Sequence, residues 1–303
     1  MTHKTTLQGI GAAIAAYALW GLLPVYWKAL NGASATEILA HRMIWSLLFL
    51  LGVLAVRRQW NWLQIIRQQR RLRLTYLASA TLLAVNWGVY VWAVQINRVV
   101  EASLGYFINP LVSIALGVIV LRERLRLAQW LAISIAATGV AWLTYNAGSL
   151  PWIALALALS FGFYGLLRKQ TPLGSFEALT VETLWMFPPA VLWLSWLAGH
   201  NGGIHHDPGL WLLLISTGVV TAAPLLFFGA ATQRIPLTTI GILQYLAPTL
   251  QLLLGVLVYN EPFSTVQLIG FSAIWTALVI YTGDSILAAR RYQPITPPEQ
   301  KRG

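Results

Sequence analysis

The sequence predicts an all-α polytopic membrane protein, with ten transmembrane helices arranged as two inverted five-helix repeats. Three observations predict it. Apolar stretches of spanning length recur ten times in 303 residues that are 57% hydrophobic and 10% charged, where a soluble domain carries about a quarter charged residues. Lysine and arginine collect on alternate connections, as cytoplasmic loops require. The second half of the chain also repeats the first at a nearly constant offset.

The first stretch, 8–27, follows Lys4 and contains Ala16-Tyr17-Ala18, which resembles a signal-peptide cleavage site. It runs on past Trp20 to about Trp27, longer than a signal core of ~7–15 residues, so it reads as a retained helix. Stretches 36–56, 73–96, 102–121 and 127–145 follow, and 149–167, 177–198, 210–231, 237–258 and 265–287 form the second set. Their connections are short and polar, leaving no room for a soluble domain. The fourth stretch carries Asn109-Pro110 near its middle. Proline lacks a backbone donor and clashes with the preceding turn, and an amide is costly to bury without a partner. The tail 290–303, RRYQPITPPEQKRG, is basic and proline-rich and reads as disordered. The fifteen tryptophans suit interfacial anchoring in a lipid bilayer.

A net charge of +11 would suggest nucleic acid in a soluble protein. Here seventeen Lys and Arg fall at the two ends of the chain and on even-numbered connections, two (Lys28 and Arg98) fall on the other side, and Arg42 lies within a stretch. Both termini are therefore expected in the cytoplasm, and no nucleic-acid partner is expected. The chain has no cysteine, which excludes disulfides, thiolate catalysis and cysteine metal sites.

The repeat is legible without gaps over PLVSIALGVIVLRERLRLAQ (110–129) and PTLQLLLGVLVYNEPFSTVQ (248–267) at offset 138. Pro110 meets Pro248, Gly117 meets Gly255 and Glu123 meets Glu261. Asn97-Arg98 meets Gln233-Arg234 and Gly105 meets Gly241 at offset 136; Glu37 and Trp45 meet Glu177 and Trp185 at 140; Lys28 meets Lys169 at 141. Units 1–147 and 148–289 follow. Five spans is an odd number, so the second unit enters the membrane from the opposite side. Inverted repeats of this kind place a solute path at their interface, near mid-membrane, lined by interrupted helices. Pro110 and Pro248 are the expected helix kinks.

Trp20-Gly21, the P-x6-G-V-x4-E pattern of each half, EILAHRMIWS (37–46), NWGVYVWAV (86–94), EASLGYFINPL (101–111), GSLPWIALALALSFGFYGLLRK (148–169) and ETLW (182–185) resemble the RarD-type permeases. These belong to the EamA family of the drug/metabolite transporter superfamily. The similarity extends over roughly residues 8–287. It implies a multi-pass permease of the bacterial inner membrane, in a group named for a link to chloramphenicol sensitivity. It also implies a central cavity built from spans 1, 3, 4, 6, 8 and 9. On those spans the candidate cavity residues are Tyr17, Trp20, Asn86, Trp87, Tyr90, Tyr106, Asn109, Tyr164, Gln244 and Tyr245. Asn86 and Tyr90, four apart, share a helical face, as do Tyr106 and Asn109, three apart. Aromatic walls with a few amides suit neutral, zwitterionic or amphipathic organic molecules, not an inorganic-ion pore.

Ionisable groups inside spans are the other candidates. Arg42 falls on Glu182 at offset 140, so a charge pair across the repeats is expected. The alternative is that each caps or clamps its own half. His41 is a candidate carrier of a coupling proton, though a packing histidine is the commoner case. Enzymatic readings fail on chemistry: His41 is the only histidine within a span, and the phosphate-cradling G-x4-GK[ST] pattern is absent. HNGGIHHDPG (200–209) reads as a glycine-rich turn, and no metal or cofactor is expected. Two functional classes remain: a secondary transporter of small organic metabolites or drug-like molecules, exporting by alternating access, or a membrane scaffold that kept the fold. The sequence does not fix an oligomeric state.

Overall fold

A computed structural model describes residues 3–30, 32–95, 99–148, 152–200, 207–260 and 263–291. Every regular element among them is a helix: α1 (His3–Ala29), α2 (Ala35–Arg57), α3 (Asn61–Gln68), α4 (Arg70–Gln95), α5 (Val99–Ile119), α6 (Leu127–Asn146), α7 (Trp152–Gln170), α8 (Ser175–His200), α9 (Pro208–Thr232), α10 (Leu237–Gln244), α11 (Leu246–Leu257) and α12 (Thr265–Arg291). The boundaries have local causes. Ser34 caps α2 by accepting from the Glu37 N–H, and Arg58 ends it in the left-handed region at φ 53°. Asp207 caps α9 with Pro208 in its first turn.

By length and apolar composition α1, α2, α4, α6, α7, α9, the α10–α11 pair and α12 can each cross a membrane. Helices α5 and α8, at 21 and 26 residues, are long enough. Leu22, Leu48, Trp130, Leu192, Trp196 and Val279 point outward and are exposed, an apolar surface that suits lipid and not water.

One element departs from the expectation. Helix α3 lies in a connection read as simply polar; Trp62 on it is buried with Leu54, Leu72 and Tyr76. The ninth apolar stretch, Leu237–Leu257, is a single span whose helical pattern lapses for one residue at Tyr245, three before Pro248, with backbone angles still helical (φ −62°, ψ −14°). Pro248 lacks the N–H that would bond the Gln244 carbonyl, so the lapse falls where a proline disturbs a helix. Helix α5 continues through Pro110.

The main neighbours are α1 with α9 and α11, α2 with α8 and α9, α4 with α7 and α8, α5 with α7 and α10, and α6 with α12. Counting α10–α11 as one span and leaving α3 aside, this map is unchanged when each of the first five spans is exchanged with its counterpart five later. The match extends to single contacts. A Cβ added to Gly21 would fall 2.7 Å from the Cβ of Leu250, and one on Gly162 would fall 2.6 Å from Cγ1 of Val112. Gly162 and Leu250 are the counterparts of Gly21 and Val112 at offsets 141 and 138. At both places only glycine lets the backbones approach this closely.

Candidate functional site

A cavity of about 190 Å3 lies between α1, α2, α4, α5, α7, α9, α10 and α11. Spacings of three and four residues put Tyr17, Trp20, Pro24 and Trp27 of α1 on one face, which lines it. Asn86, Trp87 and Tyr90 of α4, Tyr106 and Asn109 of α5, and Phe161 of α7 complete the aromatic wall. Gln244, Pro248 and Gln251 enter from either side of Tyr245. Arg42 of α2 and Thr221 of α9 close the ring. Of the ten residues expected from sequence, eight line this cavity. Tyr245 does not: it is fully buried in a separate cluster with Ile114, Ala136 and Ile274, since successive helical residues point about 100° apart and Gln244 takes the cavity side.

The polar groups divide into satisfied and unsatisfied. Asn86 Nδ2 donates to the Leu157 carbonyl at 2.9 Å and to Ser160 Oγ at 3.0 Å. Gln251 Nε2 donates to the Trp20 carbonyl at 3.2 Å. The Tyr17 hydroxyl, Asn109 Oδ1 and Gln244 Oε1 are buried without a hydrogen-bond partner among the described residues, a costly state away from water. Arg42 Nε donates to Thr221 Oγ1 at 3.0 Å, and its guanidinium stands 4.8 Å from the Trp27 ring centre and 4.6 Å from that of Trp87.

Beneath the cavity lies an aromatic floor. Trp20 meets Phe161 edge-on at 5.6 Å, Phe228 lies 5.9 Å from Trp20, and Tyr164 stacks on Phe228 at 5.9 Å. Tyr164 is thus a floor residue and not a lining one. Its hydroxyl donates to Glu182 Oε2 at 3.2 Å, Ser79 Oγ donates to Oε1 at 2.5 Å, and Arg168 Nη1 stands 3.8 Å from Oε1. Glu182 is 0% and Arg168 1% exposed. Gly229 makes room for the Arg168 guanidinium, which a Cβ there would strike. Nearby, Lys169 Nζ donates to the carbonyls of Thr232 and Ile235 at 3.1 and 2.6 Å. The Glu123 carboxylate accepts from the N–H groups of Leu237 and Thr238 at 2.7 and 2.9 Å, capping α10.

Cavity and ion pair occupy opposite ends of the bundle. Helix α1 lines the cavity with its C-terminal half and α7 with its N-terminal half. The α1–α2 turn is therefore at the cavity end and the α7–α8 turn at the sealed end. This corrects the expected pairing of Arg42 with Glu182. Residues matched by an inverted repeat stand at opposite depths, and Glu182 faces Arg168 of its own half while accepting hydrogen bonds from Tyr164 and from Ser79 of the other half. His41 is buried outside the cavity lining. Its Nδ1 accepts from Trp45 Nε1 at 3.1 Å, its Nε2 lies 4.0 Å from Glu37 Oε1, and its ring meets Trp211 edge-on.

Sequence reasoning missed Trp27, Thr221 and Arg168. Trp27 continues the stripe through Tyr17 and Trp20 and was findable. Arg168 ends an apolar run and so read as a loop charge. Arg98, the glycine-rich residues 201–206, Glu261 and the tail from 292 onward lie outside the described residues.

The model of the EamA-like transporter family matches residues 7–145 and again 150–283. The chain is 50% identical to protein RarD of Streptomyces exfoliatus, over 94% of this chain and 90% of that protein. It is 45% identical to the uncharacterized transporter YojE of Bacillus subtilis, over 93% and 96%. It is 30% identical to the chloramphenicol-sensitive protein RarD of Pseudomonas aeruginosa, over 94% and 96%. A solved crystal structure with 20% identity shares the fold at a TM-score of 0.70, covering 96% of this chain and all of the other.

Proposed function

The chain belongs to the EamA-like transporter family and is a multi-pass membrane transporter; we propose that it is a secondary transporter of small organic molecules, working by alternating access between two inverted repeats. One observation carries this reading: a cavity walled by both halves of the chain is confined to one end of the bundle, while charged and aromatic contacts close the other. A wall shared between repeats is what alternating access needs, because rocking one repeat against the other can close one end as it opens the other. The repeat units 1–147 and 148–289 are supported by the family model matching twice, by the exchange symmetry of the helix neighbours and by the paired Gly21–Leu250 and Gly162–Val112 contacts.

The charge bias supports cytoplasmic termini, and in this proposal the membrane is the bacterial inner membrane of the family's permeases. On that orientation the cavity faces outward and the Arg168–Glu182 end faces the cytoplasm. The net direction in this proposal is export. His41, away from the cavity, is not in a position to exchange a proton with a bound solute directly.

The test is reconstitution into vesicles. Purified protein is first screened by ligand-dependent thermal stabilisation against amino acids, aromatic metabolites, nucleosides and chloramphenicol, and hits are followed by counterflow. Saturable counterflow above protein-free vesicles is expected. A ligand that binds but is never carried would favour the scaffold reading. Orientation is tested in a chain that has no cysteine of its own. In intact cells Asn146→Cys should react with an impermeant maleimide and Arg124→Cys should not; the reverse pattern would overturn the orientation.

A further inference from the structure

Among the described residues Arg42 is the one cationic or anionic side chain lining the cavity. A guanidinium has five N–H donors. Among the described residues its Nε alone has a hydrogen-bond partner, Thr221; the faces of Trp27 and Trp87 stand beside the guanidinium, and Tyr106, Tyr90 and Tyr26 are within electrostatic reach. No hydrogen bond of its two terminal amino groups falls among the described residues. Holding a cation inside the membrane is costly unless an anion meets it, and a guanidinium presents two parallel N–H bonds to a carboxylate.

The other half of the chain contains what this site lacks. At offset 141 Trp27 corresponds to Arg168, and at 140 Arg42 corresponds to Glu182. The two helix pairs, α1–α2 and α7–α8, thus hold equivalent contacts. At the sealed end the contact is guanidinium to carboxylate, 3.8 Å, closed to water. At the cavity end it is guanidinium to indole, and no carboxylate of the described residues approaches it. The rest of the cavity defines the remainder of a ligand. Trp20, Trp87, Tyr90 and Tyr106 offer flat apolar walls, and the buried oxygens of Asn109 and Gln244 lack donors.

We infer that the cavity binds organic anions: a carboxylate held by Arg42, an aromatic or other flat body between the indoles, and a hydroxyl or N–H group for Asn109 and Gln244. This rests on the transporter reading and narrows its substrate class. It also separates Arg42 from Arg168, which meets a carboxylate where Arg42 meets none among the described residues.

The experiment compares acids with their uncharged amides on the purified full chain. Indoleacetate is paired with indoleacetamide and hydroxyphenylacetate with its amide, with chloramphenicol as a neutral probe, by calorimetry and thermal shift. Each acid is expected to bind at least about tenfold more tightly than its amide. Arg42→Gln should bring the two within about twofold, and Arg42→Lys should keep a preference for the acid. Equal binding of acid and amide by the wild type overturns the inference, as does a preference that survives Arg42→Gln, or a folded wild type that binds no acid of the panel. Should Arg42→Gln fail to fold, the wild-type pairs and Arg42→Lys decide. Counterflow separates the two claims. Acid-selective binding without counterflow keeps the anion site and removes transport; saturable counterflow of neutral probes without acid preference does the reverse.

Discussion

Arg168 and Arg42 are two guanidiniums on equivalent helix pairs, and they are treated in opposite ways. Arg168 is sunk into the space above Gly229, faces Glu182 and is closed to water. Arg42 stands against two indoles and lines the cavity. The scaffold offers the same position twice, once at each end. One copy completes its ion pair internally, and closure follows. In the other, Trp27 stands where the repeat has Arg168, so Arg42 meets an indole in place of an opposite charge, beside a cavity that a solute can enter. Closure and vacancy are therefore alternatives at a single repeated locus.

The largest effect that would break this comparison is at the sealed end. Glu182→Gln leaves a buried cation without its counter-charge and should lower stability by about 3–5 kcal/mol, measured by thermal or denaturant unfolding in detergent. The double variant Arg168→Met/Glu182→Leu should recover most of that loss, since apolar replacement of both partners removes the uncompensated charge. Additive damage would show that the two do not act as a pair.

Next in size are the matched glycines. Gly21→Ala and Gly162→Ala each press a methyl into a neighbouring helix and should each cost about 1–3 kcal/mol. Similar losses would sharpen the equivalence of the halves, and damage at one site alone would break it. Arg42→Gln should change stability by under about 1 kcal/mol, because it removes a charge that no carboxylate among the described residues pairs. A loss as large as that of Glu182→Gln would mean that Arg42 is structural after all. Asn109→Ala should be smallest, within about 0.5 kcal/mol, since Oδ1 makes no hydrogen bond that truncation would lose. Its effect should instead show as a weaker ligand response at unchanged expression.

Much of this arrangement was legible in the sequence because it follows from periodicity. The apolar runs gave the helices, the offsets of 136 to 141 gave the equivalence of the halves, and Tyr17 and Trp20 shared a face by spacing alone. What was hidden depends on contacts between distant segments. Tyr164 lies one turn past Phe161 on a similar face, yet Phe228 of α9 covers it and Glu182 of α8 takes its hydroxyl. Arg168 looked like a topology signal because burial under Gly229 involves a helix sixty residues away. Arg42 and Glu182 were correctly matched as equivalent positions but wrongly joined as partners, because equivalence under inversion implies separation in depth. Helix α3 did leave a trace in Trp62, Ile65 and Ile66, three and four residues apart, which the polar residues around them obscured.

The two matched prolines have a mechanical consequence. Pro110 and Pro248 each remove one hydrogen bond from their helix; α5 runs on unbroken, while its counterpart loses the helical pattern for one residue at Tyr245 with its backbone angles still helical. Prolines are where long helices bend. Asn109, next to one of these sites, and Pro248 at the other both line the cavity, so a bend in either helix would change the shape of the space they enclose.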